Sequence, residues 1–286
     1  MRKRLKKLLA AVLPSEELTA VYNSYDVIGD ITVIRLNEAF MKHGQIIAET
    51  IMKVHKNVKT VLAQVGPVQG DFRLRKLEHL AGENKTKTVH RESNCVFAVD
   101  LSHCYFSPRL FYERMRIAKL VKDGETIVNM FAGVGCFSII IAKHSNAAKI
   151  YSIDINPAAV QFMKENIRLN RVYGRVIPIE GDAKDVIQQR LRNVADRVLM
   201  PLPEKALQYL PYAFSALKNG AGWIHIYAFE HANRREKPVE KTMTKVSYNL
   251  EKLGVNFEIP FGRIVRTTGP NWYQIVLDIL CKGLKS

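Results

Sequence analysis

The chain has 286 residues, of which 47% are hydrophobic and 24% are charged, so it is long enough for about two domains with apolar cores. This composition excludes a disordered tail and a small disulfide-stabilised protein. Lysine and arginine outnumber aspartate and glutamate by 43 to 27, which gives a formal charge of +16. Such a charge predicts a nucleic-acid partner, although a basic surface without one is the alternative.

The cysteines and the N-terminus indicate neither a metal site nor a membrane segment. Cys95, Cys104, Cys136 and Cys281 form no CxxC pair, so we predict reduced thiols and no bound metal. The apolar stretch at residues 8–13 is too short for a signal-peptide core, and no run approaches the ~18 apolar residues of a membrane helix. We expect a cytoplasmic protein that does not contact a membrane.

The first hundred residues predict a small α+β domain. Strand-like residues 27–36 and 60–65 flank a helix-like stretch at residues 38–54. Residues 86–92 and 95–101 alternate polar and apolar side chains on either side of a two-residue turn, which is typical of a β-hairpin.

The segment between these elements, residues 66–87, combines glycines with basic side chains. Its basic residues include Arg73, Arg75, Lys76, Lys85 and Lys87. We interpret it as a mobile basic loop, either a solvated loop or a surface that binds a polyanion, and composition alone favours the solvated loop.

From residue 108 onward, helix-like and strand-like stretches alternate. The helix-like stretches are residues 108–122, 158–170 and 204–217, and the strand-like stretches are residues 126–131, 149–153, 175–179, 196–200 and 222–227. This order predicts an α/β domain with a doubly wound parallel sheet. The last two strand-like stretches, residues 257–265 and 273–280, are joined by a loop too short for a crossover helix, so one of them should run antiparallel to the rest. We assign residues 1–100 and 101–286 to the two domains.

A glycine turn followed by an acidic residue predicts a nucleotide-type cofactor site at the carboxyl edge of this sheet. The run Phe131-Ala-Gly133-Val-Gly135 stands where a strand leads into a helix, so the backbone can approach a ligand there. Asp154 ends the next strand, 21 residues after Gly133, close to the ~20 expected for a carboxylate that binds ribose hydroxyls. Asn156 and Pro157 predict the start of the following helix.

The residues after the glycine turn help to identify the cofactor. Phe137 and Ser138 stand where a dinucleotide-binding fold needs a third small residue. Together with the antiparallel terminal strand, they favour the architecture of S-adenosylmethionine-dependent methyltransferases, in which no pyrophosphate is bound. Asp182, after the third strand, is placed to accept a hydrogen bond from an adenine amino group, but the role of a turn or cap residue is equally open.

Four runs resemble the motifs of one enzyme family: Tyr105-Phe-Ser-Pro-Arg-Leu110, Glu113-Arg114, Met130-Phe-Ala-Gly-Val-Gly135 and Asp154-Ile-Asn-Pro157. In combination they resemble the archaeal and eukaryotic tRNA (guanine(37)-N(1))-methyltransferase family, over about residues 60–286. The resemblance implies a Rossmann-like methyltransferase sheet, S-adenosylmethionine as cofactor and methylation of the tRNA guanosine beside the anticodon. The related wybutosine aminocarboxypropyltransferase and an RNA-binding scaffold without catalysis are the alternatives.

The resemblance also implies roles for individual residues. The family's proposed general base falls on Glu113, and an arginine thought to contact the guanine falls on Arg73, with Arg109 as a second candidate. Helix spacing alone would instead make Glu113 the i,i+4 partner of Arg109. A base is needed because guanine N1 carries a proton and is a poor nucleophile until that proton leaves.

The remaining site predictions concern the cofactor and the RNA. The predicted cofactor-binding residues are Phe131, Gly133, Gly135, Asp154, Asp182 and Arg109. The predicted substrate-binding residues are Arg75, Lys76, Pro201 and Pro203. The candidate base-stacking rings are Tyr105, Phe106, Tyr112 and Phe137. Two positions depart from the family pattern. Asn129 replaces the usual Asp that opens the glycine motif, and Pro201 replaces an asparagine that could bind the target base. We expect a monomer that binds tRNA, and a wybutosine precursor is left open as a further substrate.

Overall fold

The computed structural model describes residues 5–10, 14, 16, 18, 25–36 and 38–285. The chain divides into two compact units, Met1–Arg109 and Leu110–Ser286, and each is described by itself below. Part of the apolar stretch at residues 8–13 lies outside the described residues. Among the helices that are described, none combines the length and apolarity needed to cross a bilayer.

The first unit is built on a mixed sheet. Over its described residues the strands are β1 (Tyr25–Ile28), β2 (Ile31–Arg35), β3 (Thr60–Gln64) and β4 (Leu77–Gly82), in the order β1-β2-β3-β4. Helix α1 (Leu5–Leu9) precedes them, and a 3₁₀ turn (Glu38–His43) with helix α2 (Gly44–Val54) connects the parallel pair β2 and β3. Ile47 and Ile51 lie one turn apart on α2 and are fully buried in the core of this unit, as its apolar spacing requires.

Two predictions for the first unit were wrong in detail. The predicted strand at residues 27–36 is a hairpin, because Gly29 adopts φ +58° and turns the chain between β1 and β2. The predicted mobile loop at residues 66–87 contains β4, which pairs antiparallel with β3. Charged side chains are typical of edge strands, and the apolar residues of β4 pack on the core. Because charged residues stand between those apolar residues in the sequence, the strand was interpreted as a loop.

A two-stranded hairpin completes the first unit and confirms the predicted turn. Strands β5 (Lys87–Glu92) and β6 (Cys95–Asp100) are joined through Ser93 and Asn94, both with positive φ, as a tight hairpin turn requires. The turn at Gly29 packs on β5 so closely that a Cβ atom there would lie 2.2 Å from Thr88 Oγ1. This position therefore excludes a side chain.

The second unit is a doubly wound α/β domain, as predicted. Between residues 110 and 285, all described, its strands are β7 (Thr126–Asn129), β8 (Lys149–Asp154), β9 (Val176–Glu180), β10 (Arg197–Met200), β11 (Ala221–His231), β12 (Val255–Gly269) and β13 (Trp272–Leu284). Their order is β12-β13-β11-β10-β7-β8-β9. Strand β13 runs antiparallel to both of its neighbours, which confirms the predicted antiparallel terminal strand.

Helices cover this sheet. They are α3 (Phe111–Leu120), α4 (Cys136–His144), α5 (Pro157–Leu169), α6 (Ala183–Val186), α7 (Ala206–Ala216) and α8 (Pro238–Lys252), with a π turn (Ile187–Leu191) and 3₁₀ turns (Pro108–Leu110, Pro203–Lys205, Lys218–Gly220) beside them. The strand order reverses at β7, whose neighbours are β8 and β10. Such a reversal opens a crevice at the carboxyl ends of the strands, where doubly wound folds bind ligands.

Candidate active site

The glycine turn joins β7 to α4 at this crevice. Gly133 and Gly135 have φ values of +56° and +92°, which disfavour a side chain. A Cβ atom on Gly135 would also lie 2.9 Å from Cγ of Met163 on α5. Glycine thus lets the turn pack against α5, and it leaves the N-terminus of α4 at the carboxyl edge, where backbone amides can meet a ligand.

Asp154 is bonded directly to the glycine turn. Its Oδ2 accepts a hydrogen bond from Gly133 N at 2.6 Å, and its Oδ1 accepts one from Asn156 N at 3.0 Å. Asn156 caps α5 and Pro157 begins it, as predicted. Burial raises the pKa of Asp154 above its ordinary value, and the two backbone donors oppose that rise. A carboxylate offers about four acceptor positions, so those left over fit the hydroxyl pair of a ribose.

Asp182 lies at the same edge, after β9. Its carboxylate caps α6 through Lys184 N at 2.8 Å and accepts a hydrogen bond from the Tyr209 hydroxyl. Phe131, which opens the glycine turn, meets the Tyr209 ring edge-on at 5.2 Å. Sequence reasoning missed Ile155, an exposed apolar side chain directly after Asp154, which offers a surface for an aromatic ring. The structure thus gives Asp182 a cap role and leaves the adenine contact a prediction.

Asn129 ends β7 in a fully buried polar cluster. Its Nδ2 donates to Ser138 Oγ at 3.1 Å, and Ser152 Oγ donates to the same atom at 2.7 Å. Within the described part of the chain, Asn129 Oδ1 is buried and accepts no hydrogen bond. An unsatisfied buried acceptor costs about 1–3 kcal/mol, so a ligand that donates an N–H here would relieve that cost.

Glu113 lies in the first turn of α3 and is only 1% exposed. Its Oε2 accepts hydrogen bonds from the Tyr227 hydroxyl at 2.9 Å and from Arg116 Nε at 3.1 Å. Its Oε1 accepts from Arg263 Nε at 2.9 Å. The sequence analysis predicted none of these partners. The pairing with Arg116 could have been predicted from its i+3 position on the helix, whereas Arg263 lies 150 residues away along the chain.

The alternative pairing of Glu113 with Arg109 is wrong. Arg109 lies in the 3₁₀ turn before α3, within the first unit, and its Nε donates to Asp26 Oδ1 at 2.7 Å. A residue outside the helix does not have the i,i+4 geometry that the pairing assumed. The guanidinium that was predicted to bind cofactor is thus committed to Asp26.

Tyr227 connects Glu113 to the glycine turn. Its ring meets that of Phe137 edge-on at 5.9 Å, and Phe137 stands in the first turn of α4, two residues after Gly135. The second unit therefore brings the predicted base and the predicted cofactor turn to one region, separated by two aromatic side chains.

A buried ion-pair network extends from Glu113 through Arg116. Arg116 donates to both oxygens of Asp278, at 2.6 and 3.0 Å, and Asp278 Oδ1 lies 2.6 Å from His225 Nδ1. Arg197 binds Glu125 and contacts His225 Nε2; because a guanidinium can only donate, Nε2 accepts and Nδ1–H donates to Asp278. Burial alone would raise the pKa of Asp278, but the hydrogen bonds from His225 and Arg116 lower it to about 2. Burial lowers the pKa of His225.

The prolines predicted to line the base pocket follow β10. Pro201 is half-buried, and Pro203 is buried and begins a 3₁₀ turn. Met130 N donates to Leu199 O at 3.0 Å, so the chain leaves β7 and β10 side by side. The proline segment therefore starts next to the glycine turn.

In the first unit, the predicted RNA-binding arginines surround one ring. The guanidinium of Arg73 stacks over Tyr105 at 4.2 Å, and that of Arg75 lies 5.5 Å from the same ring. Arg75 donates to Phe106 O at 2.8 Å and its side chain is 7% exposed. Its guanidinium therefore stabilises the fold and is poorly accessible to RNA. Burial lowers the pKa of Arg75. Lys76 is exposed.

Two of the four candidate stacking rings belong to the core. Phe106 and Phe137 are buried, whereas Tyr112 is largely exposed and Tyr105 is half-buried under Arg73. Of the four, Tyr112 is therefore the ring most open to a base.

A cavity of about 650 Å³ lies beside β5 in the first unit. Its polar lining includes Asp30, Asn57, Lys85, Lys87, His90 and Arg91. Lys85 is held by Asp30 and Glu83, both at 2.7 Å. Lys87 and Arg91 are exposed on β5, four residues apart, and among the described residues neither has an ion-pair partner. The cavity therefore presents two uncommitted positive charges.

Two family models match most of the chain, up to residue 255. Residues 88–255 match the TRM5/TYW2 methyltransferase domain, and residues 5–86 match the TYW2 N-terminal domain. The chain is 38% identical, over 93% of its length and 77% of the relative's, to tRNA (guanine(37)-N(1))-methyltransferase Trm5b of Pyrococcus abyssi. It is 37% identical, over 91% of its length and 94% of the relative's, to tRNA 4-demethylwyosine(37)-methyltransferase Taw21 of Saccharolobus solfataricus.

Solved structures give the same result. The complex of aTrm5 and tRNALeu superposes with a TM-score of 0.84 at 34% identity, over 98% of this chain and 78% of that one. Pyrococcus horikoshii TYW2 in complex with MeSAdo superposes with a TM-score of 0.76 at 29% identity, over 99% and 98% of the two chains. The motifs, the strand order and these matches agree, and the chain belongs to the TRM5/TYW2 methyltransferase family.

Proposed function

We propose that this protein transfers the methyl group of S-adenosylmethionine to N1 of guanosine 37 in tRNA. The observation that carries the proposal is the contact chain from Glu113 through Tyr227 and Phe137 to the glycine turn, because it unites a carboxylate with a cofactor-type site. The relatives named for this reaction, at 38% and 39% identity, support it.

The residues around the glycine turn fit the cofactor. Asp154 would hold the ribose hydroxyls, Ile155 and Asp182 would contact the adenine, and Asn129 Oδ1 would accept a hydrogen bond from the ammonium group. S-adenosylmethionine supplies an electrophilic methyl group on its sulfonium. Because a sulfonium methyl needs little activation, the protein's main chemical task lies on the guanine.

Glu113 would perform that task by taking the N1 proton. As N1 loses its proton, negative charge spreads to O6, and a guanidinium stabilises it as an oxyanion hole does. Arg73 is our candidate for that guanidinium; it lies in the first unit, stacked on Tyr105. The target guanine must leave its stack to expose N1, and Tyr112 is an exposed ring on which an unstacked base can pack.

Nucleoside analysis tests the proposal. Unmodified tRNA transcripts are incubated with labelled S-adenosylmethionine, and a transcript with adenosine at position 37 serves as the matched control. We expect 1-methylguanosine from the first and no product from the second. Transfer of the larger aminocarboxypropyl group would favour the wybutosine alternative, and cofactor binding without transfer would favour a scaffold.

A second candidate substrate is the tricyclic base 4-demethylwyosine. Similarity to Taw21 over 94% of that protein's length supports it, as does Pro201 in place of an asparagine amide. The same assay on tRNA carrying 4-demethylwyosine at position 37 tests it. Methylation of that base faster than of guanosine would make it the preferred substrate.

A further inference from the structure

The two carboxylate oxygens of Glu113 have different surroundings. Oε2 accepts from Tyr227 and Arg116, and Asp278 holds Arg116 in turn. Among the described residues, Oε1 accepts from Arg263 alone, through Nε at 2.9 Å and through a second guanidinium nitrogen. One oxygen is therefore fixed in the core, and a single side chain covers the other.

Arg263 is the most exposed of the three partners. Its side chain is 33% exposed, against 14% for Arg116 and full burial for Tyr227. Its guanidinium stacks 4.6 Å from the centre of the Tyr112 ring, which is 58% exposed. Arginines and exposed rings of this kind bind the bases and backbone of unpaired RNA. Arg263 thus bonds Glu113 from a position that is partly open to solvent.

A second stack lies on the other arginine. The guanidinium of Arg116 is 4.7 Å from the centre of the Phe261 ring, and that ring is partly exposed. Two aromatic rings therefore flank the arginines that hold Glu113. Arg116 is bonded to a second carboxylate, Asp278, at two positions, whereas the carboxylate partner of Arg263 among the described residues is Glu113.

We propose that Arg263 covers Oε1 of Glu113 in the RNA-free protein and exchanges it for a backbone phosphate when RNA binds. This rests on the proposed role of Glu113 as the base. While Arg263 is in place, Oε1 is covered and cannot reach a guanine. When Arg263 leaves, Oε1 is exposed to the guanine: the N1–H bond breaks as the Oε1–H bond forms, and the electron pair stays on the ring. The enzyme thus exposes its base only to bound RNA.

The charged and titratable groups around Glu113 determine how the pH dependence of the reaction rate is interpreted. Among the described residues they are Arg116 on α3, Tyr227 on β11 and Arg263 on β12, and Arg116 is bonded in turn to Asp278 on β13, which contacts His225 on β11. Burial raises the pKa of Tyr227 well above its usual value, so this hydroxyl stays protonated. Burial lowers the pKa of His225, which stays neutral near pH 7. The change in charge beside Oε1 therefore comes from the position of the Arg263 guanidinium, which leaves Oε1 in the proposed exchange.

The pH dependence of two rates tests the exchange. kcat/KM reports the free enzyme, and the single-turnover rate at saturating tRNA reports the complex. In the wild type, we expect the acidic limb of kcat/KM at lower pH than that of the single-turnover rate, because only the free enzyme keeps the ion pair. In Arg263→Ala the two limbs should coincide. Arg266→Ala is the matched control, since Arg266 binds Gln274 on the same hairpin, and it should keep the separation.

Salt dependence supplies an independent readout. Loss of one phosphate contact should reduce the slope of log K against log salt by about 0.7 in Arg263→Ala, and Arg263→Lys should restore it. An unchanged slope in Arg263→Ala, acidic limbs that stay apart in Arg263→Ala, or acidic limbs that coincide in the wild type would each overturn the proposal.

Failure of this proposal can be told from failure of the proposed function. If Glu113→Gln methylates at the wild-type rate, Glu113 is not the base and the premise falls. If Glu113→Gln is slow but Arg263→Ala keeps the wild-type separation of the two acidic limbs and the wild-type salt slope, only the exchange is refuted. Should Arg263→Ala not fold, Arg263→Gln keeps part of the aliphatic stem without the charge and takes its place.

Discussion

Asp154 at the end of β8 accepts a hydrogen bond from the backbone N–H of Gly133, which fixes the glycine turn to the neighbouring strand. Removal of this carboxylate should therefore weaken cofactor binding in two ways, by loss of the ribose contact and by loosening of the turn. We expect Asp154→Ala to cost about 2 kcal/mol or more of cofactor affinity, measured by calorimetry. Glu180→Ala is the control, because Glu180 pairs with Asp154 in register but is exposed. Equal affinities in the two variants would contradict the assignment.

Glu113→Gln keeps the shape of the side chain but cannot take a proton. Single-turnover methylation should slow by roughly 10²- to 10⁴-fold and lose its acidic limb, while cofactor affinity changes little. Rapid-quench measurement across pH checks this, with the exposed Glu165→Gln as control. A melting curve of each variant shows whether the lost ion pairs unfold the domain. A folded Gln variant with the parental rate would refute the base role.

Asp278 should make the protein sensitive to acid. Its pKa falls from 3.8 to about 2 in the folded state, so the ionised form contributes about 2 kcal/mol of stability. Because the folded pKa is the lower one, this contribution is complete above about pH 4 and is lost as the pH falls to about 2. His225 acts in the same direction, since its lowered pKa makes protonation costly to the folded state.

Urea unfolding of the wild type and Asp278→Asn at several pH values measures this contribution. We expect the variant to be less stable at pH 7 and the difference to shrink towards pH 2. Asp123→Asn, at an exposed position, should follow the wild type throughout. A stability difference that does not change with pH would contradict the assignment.

Lys87 and Arg91 are better candidates for phosphate contacts than two of the lysines and arginines that the sequence suggested. Arg75 is buried and Lys85 is paired with Asp30 and Glu83, whereas Lys87 and Arg91 are exposed on β5.

The double variant Lys87→Ala/Arg91→Ala should therefore reduce the slope of log K for tRNA against log salt by about 1.4 to 1.8. The double variant Lys164→Ala/Arg168→Ala changes the same charge on the exposed face of α5 and should leave the slope unchanged. If both double variants behave alike, net charge rather than the β5 surface determines binding.

Gly29 should be intolerant of any side chain. It combines φ +58° with a Cβ position 2.2 Å from Thr88 Oγ1 and 2.5 Å from Val89 O, so Gly29→Ala must move the hairpin. We expect a loss of about 2 kcal/mol or more in the free energy of unfolding. Gly70→Ala is the control, because Gly70 has φ +67° but open space around its Cβ position. Similar losses in both variants would show that backbone strain alone is responsible.

Local patterns were enough to predict the glycine turn, Asp154 and the antiparallel β13, because each depends on residues close in sequence. The helix α8 was missed although its signal was present: Pro238 begins it, and Thr242, Val246 and Leu250 bury one face at intervals of four residues.

The surroundings of Glu113 could not have been predicted in this way. Its partners Tyr227 and Arg263 lie on strands that reach α3 only after the sheet has formed, 114 and 150 residues along the chain. No local pattern records such a contact. Composition also gave a wrong prediction for β4, because its charged residues indicated a loop although the segment forms a regular strand.

The hairpin of β5 and β6 has a consequence for domain exchange among relatives. Similarity places the join between the two family domains at residues 86–88, but the hairpin belongs structurally to the unit that ends at Arg109. A chimaera spliced at residue 87 would set a foreign hairpin against the turn at Gly29, where there is no room for a different side chain. A crossover beyond β6 keeps the Gly29 turn and its hairpin from one parent, so recombination there should be better tolerated than at residue 87.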